Sequence, residues 1–201
     1  MLTSRIWGFE VCETPTPVTF NPYHWATINW RAVCGKTACT VRREGSPAQP
    51  DFPTPINILQ LPDELPASYA VRMKVTRLGG NEQFTVSLPV GSSRVCAAID
   101  GYAGTVSGLE LVAGKHMHAP DNPTTVRRSV LRNNREYQLE YRVEPGQITV
   151  QVDGKDLIRW RGSFRSLGVP KDVYRGTAPG RLLLIARGKY RVRDVDVHAI
   201  E

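Results

Sequence analysis

A chain of 201 residues, 41% hydrophobic and 22% charged, has an ordinary globular composition and is long enough to bury one sizeable core without staples. No apolar run approaches the ~20 residues of a membrane span, and the opening MLTSRIWGFE, with Arg5 alone and no apolar stretch behind it, does not read as a signal peptide. The net charge of +7 is uneven: residues 1–125 carry 10 basic and 10 acidic side chains, residues 126–201 carry 16 and 9. Those bases are spread singly among acids, without an arginine-glycine tract, zinc-finger spacing or RNA-binding aromatic motif, so a solvated basic face is expected ahead of nucleic-acid binding.

In chain order, the first informative stretch is INWRAVCGKTACTVRRE. Two strand-like arms meet at Gly35-Lys36-Thr37-Ala38, which sets Cys34 and Cys39 opposite each other at a hairpin mouth. Facing non-hydrogen-bonded residues lie ~4.5 Å apart at Cα, the short limit for a disulfide. A bridge is feasible in an oxidising compartment, with two free thiols as the alternative.

Period-two alternation then dominates. In VRMKVTRL, Val71, Met73 and Val75 alternate with Arg72, Lys74 and Thr76. In QFTVSLPV, Phe84, Val86 and Leu88 alternate with Thr85 and Ser87. Val95, Ala97 and Ile99 oppose Cys96, Ala98 and Asp100, and Leu109 and Leu111 flank Glu110. EYQLEYRV and QITVQV continue the pattern with Tyr137, Leu139, Tyr141 and Val143, then Ile148 and Val150. Such segments are half-buried strands. Glu144-Pro145-Gly146-Gln147 and Val152-Asp153-Gly154-Lys155 read as hairpin turns, the Asp-Gly pair being the stronger signal. In ARGKYRVRDVDVHAIE, Arg187, Lys189, Arg191 and Arg193 share a parity with Val195, Val197 and Ala199. One extra residue near Arg193–Asp194, a bulge, would resolve that conflict. No segment offers a helix of three turns. The fold class expected is all-β, an antiparallel two-sheet sandwich of about ten or more strands.

The order of LPASYAVRMKVTRLGGNEQFTVSLPVG, VCAAIDGYAG, VSGLELVAGK, DNPTTVR and VQVDGKDLIRW resembles the concanavalin A-like (laminin G-like) jelly-roll modules common in planctomycete multidomain proteins. The match runs from about Asn29 to the C-terminus, so residues 1–28 form an N-terminal extension or edge strand within a single domain of residues 1–201. The resemblance implies a sandwich whose concave face often binds carbohydrate, and in some relatives a calcium ion at a rim.

Four chemistries can be weighed on the residues. Glycoside hydrolysis needs two carboxyl groups roughly 5 to 9 Å apart across the bond; Glu110 has no second acid on its own strand, and Asp100 from another segment is the nearest candidate. His116 and His118 at i, i+2 face one way, but zinc wants a third protein ligand and none is evident. Calcium would prefer Asp121, Asn122 and backbone carbonyls. Nucleophile elbows and phosphate loops are absent. Ligand binding is the best case: a second sheet face lined by Thr85, Ser87, Cys96 and Ala98 would form an open shelf with Asp100, Tyr102, Glu110 and Asn122 at hand. Sugars are held by planar acceptors and amides on their hydroxyls and by an aromatic ring on their C–H face. The expected function is therefore a non-catalytic module binding carbohydrate or a protein partner; a structural scaffold is the rival reading, a glycoside hydrolase the third. For Asn122 the rival reading is that it ties down its loop by bonding Asp100 or backbone.

Overall fold

The computed structural model describes residues 6–9, 42–43, 56–170 and 180–200. Cys34 and Cys39, and most of the N-terminal extension, lie outside the described residues. Among the described residues sixteen strands follow one another: β1 Ile6–Phe9, β2 Arg42–Arg43, β3 Ile56–Glu64, β4 Tyr69–Gly79, β5 Phe84–Val90, β6 Ser93–Asp100, β7 Val106–Leu109, β8 Leu111–Val112, β9 Lys115–His116, β10 Val126–Arg127, β11 Glu136–Glu144, β12 Gln147–Val152, β13 Lys155–Arg161, β14 Leu167–Gly168, β15 Arg181–Arg187 and β16 Lys189–Ala199. They form a six-stranded sheet, β1-β16-β4-β11-β12-β13, and a seven-stranded sheet, β10-β7-β6-β5-β15-β3-β2. A third, three-stranded sheet β14-β8-β9 was not anticipated by the alternation, because strands of two residues are too short to show a period.

The inward sets meet between the two large sheets. Val71, Met73 and Val75 of β4, and Tyr137, Leu139, Tyr141 and Val143 of β11, face Phe84, Val86, Leu88, Val95, Ala97 and Ile99 across one continuous core. Arg72 and Lys74, the alternate residues of β4, are exposed. Burying one face of each sheet fixes register, since a one-residue slip would exchange every core side chain for a polar one.

Turn chemistry follows the sequence closely. Val152 pairs with Lys155, and Asp153 and Gly154 between them have φ of 50° and 73°, the two positive angles of a type I′ hairpin turn. Glu144 pairs with Gln147, and Gly146 takes a φ of 71°. In β16 the register against β4 shifts between Arg193 and Asp196, with Asp194 at φ 52°. Val192 and Val195 both reach the core on either side of that shift. This is the bulge that the parity conflict demanded.

Candidate functional site

The site is built on the turn that ends β6. Asp100, Tyr102, Ala103 and Gly104 all have left-handed φ, at 57°, 51°, 59° and 79°. Left-handed backbone costs an ordinary L-residue roughly 1–2 kcal/mol, so this turn needs clamps. Thr105 supplies two: its N–H donates to Gly101 O at 3.0 Å and its hydroxyl to Tyr102 O at 2.7 Å. Asn81 Nδ2 adds a third, donating to Ala103 O at 3.2 Å. Its product is an aromatic ring in solvent: Tyr102 is 53% exposed.

Asp100 departs from the face that strand alternation predicts. Its left-handed backbone turns the carboxyl inward, away from the side of Cys96 and Ala98. There it meets Arg77, which stands at the same inward parity as Val71, Met73 and Val75 on the opposite sheet. Arg77 Nη1 donates to Asp100 Oδ2 at 3.2 Å, while the Val130 and Leu131 N–H groups donate to Oδ1 and Oδ2 at 2.7 and 2.8 Å. Arg77 also donates to Asn133 Oδ1 at 2.8 Å and to the Leu131 carbonyl. Asp100 is 0% exposed. Burial pushes its carboxyl above the ordinary aspartate value, and the Leu131 and Val130 N–H groups and Arg77 pull against that. Both oxygens are therefore committed to holding the two sheets and the 128–133 loop together.

Asn122 is 3% exposed and equally committed. Its Nδ2 donates to Leu109 O at 3.1 Å and to Lys115 O at 2.9 Å. Its Oδ1 accepts from Thr124 N at 2.9 Å and Thr124 Oγ1 at 2.7 Å. Thr124 Oγ1 in turn accepts from Leu109 N at 3.0 Å. Together they staple the 117–125 loop to β7, with backbone and the Thr124 hydroxyl as the partners of Asn122, and Asp100 no part of the arrangement. The loop comes so close that a Cβ on Gly108 would stand 3.2 Å from both Met117 Cβ and Thr124 O. Gly108→Ala is expected to cost about 1–3 kcal/mol by overpacking. Gly79→Ala, where nothing lies within 4 Å, serves as the near-silent control in the same thermal melts.

Tyr102 remains exposed on the outer side, and Glu110, only 8% exposed, lies buried beside it. Glu110 Oε1 accepts from Gln83 Nε2 at 3.2 Å, and that amide also donates to Thr85 Oγ1 at 3.0 Å. Partial burial raises the Tyr102 phenol, the Glu110 carboxylate adds to the rise, and Arg187 opposes it; the hydroxyl thus keeps its proton. Tyr102 Oη and His118 Nδ1 are hydrogen-bonded at 2.6 Å, the hydroxyl donating when Nδ1 carries no proton. Their ring centroids lie 4.8 Å apart, and the His116 ring stacks on His118 at 5.7 Å. The result is an exposed Tyr-His-His platform next to a carboxylate and an amide.

The centre of the second face is covered. Thr85, Ser87, Cys96 and Ala98 have no exposure. Leu183 and Ile185 pack with Cys96 beside Val169, Val106 and Met117 pack with Ala98, and Arg94 Nη1 donates to Ser87 Oγ at 3.0 Å. What this side offers to a ligand is the rim around Tyr102. Of the four residues expected to share a site, the structure brings Tyr102 and Glu110 to one patch. Asp100 and Asn122 lie behind it as supports.

The same geometry bears on the other chemistries. Asp100 and Glu110 point to different sides of their sheet, so they do not form an acid/base pair across one bond. The calcium donor set does not fit: Asn122 Oδ1 already accepts twice, and Asp121 Oδ2 is held by Lys115 Nζ at 2.6 Å. Among the described residues no three His, Cys, Asp or Glu side chains come together as metal ligands, and no helix is long and apolar enough to cross a membrane. Arg77, Gln83 and Arg127 were missed from the sequence. Arg77 carried a signal, a cation at an inward strand position, whereas Gln83 carried none.

No family model matches the chain, and no curated protein matches it. Solved structures do. A protein of unknown function with a galectin-like fold from Bacillus subtilis superposes with a TM-score of 0.52 at 12% identity, covering 73% of this chain and 78% of that one. The exoplasmic/lumenal domain of VIP36, in its Ca2+/Man-bound form, gives 0.52 at 10% identity, covering 80% and 78%. At such identities the likeness is one of fold, and with the antiparallel two-sheet topology it makes this chain a concanavalin A-like jelly-roll sandwich.

Proposed function

We propose that this protein is a non-catalytic carbohydrate-binding module whose contact surface is the rim around Tyr102. The observation that carries the reading is the exposed Tyr102 ring, lifted into solvent on a left-handed turn that costs free energy to hold. Strained backbone persists where surroundings over-determine it, and such strain gathers at binding sites. A sugar's C–H face packs on an aromatic ring, while its hydroxyls take planar acceptors and amides. Tyr102 supplies the ring and Glu110 the acceptor, Gln83 fixes that carboxylate with an amide already engaged by Glu110 and Thr85, and His118 orients the phenol. Asp100 and Asn122 act behind them as positioning residues. The Man-bound state of VIP36, on the same fold, is in keeping with this class of ligand.

Tyr102→Ala tests it on a glycan array. Because the ring is half in solvent and outside the core, its removal is expected to abolish glycan retention while leaving the melting temperature within about 1–2 °C, in line with a surface substitution. Retention unchanged in that variant would remove the platform from the function.

A further inference from the structure

Resting on the carbohydrate reading above, we propose that the ligand is an anionic glycan whose carboxylate or sulfate group is received by Arg127 at the edge of the Tyr102 platform. Arg127 stands on β10, the edge strand, paired with Val106 immediately after the left-handed turn. Its Nη2 donates to His118 O at 2.6 Å, and the His118 imidazole is the one bonded to the Tyr102 hydroxyl. The guanidinium is thereby anchored to the backbone of a platform residue, His118, and Arg127 is exposed. A guanidinium offers five N–H donors in a planar fork that matches a carboxylate or sulfate edge; the contact with His118 uses one of them.

The surrounding charge points the same way. From Lys115 to Arg132 the cations are Lys115, Arg127, Arg128 and Arg132, and the one acid is Asp121, whose carboxylate is already held by Lys115. Arg128 and Arg132 are exposed and have no anionic partner among the described residues. Elsewhere among the described residues of the basic C-terminal half, four arginines are paired within the protein. Arg135 meets Asp153, Arg142 meets Glu140 and Glu144, Arg159 meets Asp156 and Arg193 meets Glu136. Four cations against one acid that Lys115 already holds thus gather in one loop beside an aromatic ring. A nucleic acid would call for a longer track of phosphate-neutralising cations, which those pairs interrupt. A local anion on a stacked sugar needs only this patch.

The experiment is affinity electrophoresis of the whole chain in gels containing polygalacturonate, dextran sulfate, neutral dextran or duplex DNA, with Arg127→Ala, Arg127→Lys and Tyr102→Ala alongside. The expected result is retardation by one of the acidic polysaccharides about tenfold stronger than by dextran, as a charge-assisted bidentate contact provides. Arg127→Ala should remove that preference with an unchanged melting temperature, and Arg127→Lys should restore part of it. Preference for polygalacturonate identifies a carboxylate, preference for dextran sulfate a sulfate ester; Tyr102→Ala must abolish either. Equal retardation by dextran, with Arg127→Ala silent, would overturn the anionic ligand and leave the carbohydrate reading standing. Retardation by duplex DNA as strong as by the polysaccharides, insensitive to Tyr102→Ala, would overturn it in favour of a nucleic acid. No retardation by any polysaccharide would overturn both readings at their shared base.

Discussion

Asp100→Ala is expected to lower the unfolding free energy by about 3 to 5 kcal/mol, the cost of stranding a buried charge by deleting its partner. Arg77 would keep Asn133 and the Leu131 carbonyl but lose its only counter-charge among the described residues. The Val130 and Leu131 N–H groups would also lose their acceptors. Urea denaturation of the two proteins reads the difference as a shift in midpoint at constant slope. Asp100→Asn should fall between them, because the amide keeps one acceptor but turns an NH2 group toward existing donors. Replacing the pair together, Arg77→Met with Asp100→Leu, should lose much less than the sum of the single changes, since an apolar pair leaves no charge unmatched. A loss under 1 kcal/mol for Asp100→Ala would mean that the sheets and the 128–133 loop are held by something other than this network.

How far the sequence reached can be judged at two neighbouring residues. Ile99 obeys the strand period, and its place in the core was legible because half-buried strands alternate. Asp100, one residue on, does not obey it. Its left-handed φ swings the carboxyl inward, and alternation assumes extended backbone throughout. The Asp-Gly pair that follows marks a turn, but pattern alone does not say which hand the turn takes. Arg77 shows the same limit from the other side: its inward parity was visible in VRMKVTRL, yet its partner lies on the other sheet, 23 residues away. Long-range pairing of polar groups has no period to reveal it. The bulge at Asp194 was legible for the opposite reason, since a bulge exchanges the faces of everything after it and so leaves a trace in the pattern. The platform of Tyr102, His116 and His118 joins two segments that sequence reading took separately, one as an aromatic near a shelf and one as a two-histidine metal candidate.

Asn122→Ala is expected to destabilise the fold by about 1 to 3 kcal/mol, the cost of leaving buried hydrogen-bonding groups unpaired. The side chain closes four contacts, two as donor and two as acceptor, and alanine replaces none of them. Asn122→Asp is nearly the same shape and keeps the acceptors for Thr124, but it presents carboxylate oxygen to the Leu109 and Lys115 carbonyls, so it should be no better than alanine. Lys115 belongs to β9, the strand that carries His116 and leads to His118. Loosening that staple therefore frees the imidazole that orients Tyr102, and glycan affinity should fall together with the melting temperature. Tyr102→Ala should lose affinity with the melting temperature intact. On the proposed reading the two variants thus separate a residue that would touch the sugar from one that would hold the contact in place, and glycan binding lost in Asn122→Ala without any thermal shift would move Asn122 from the second role to the first.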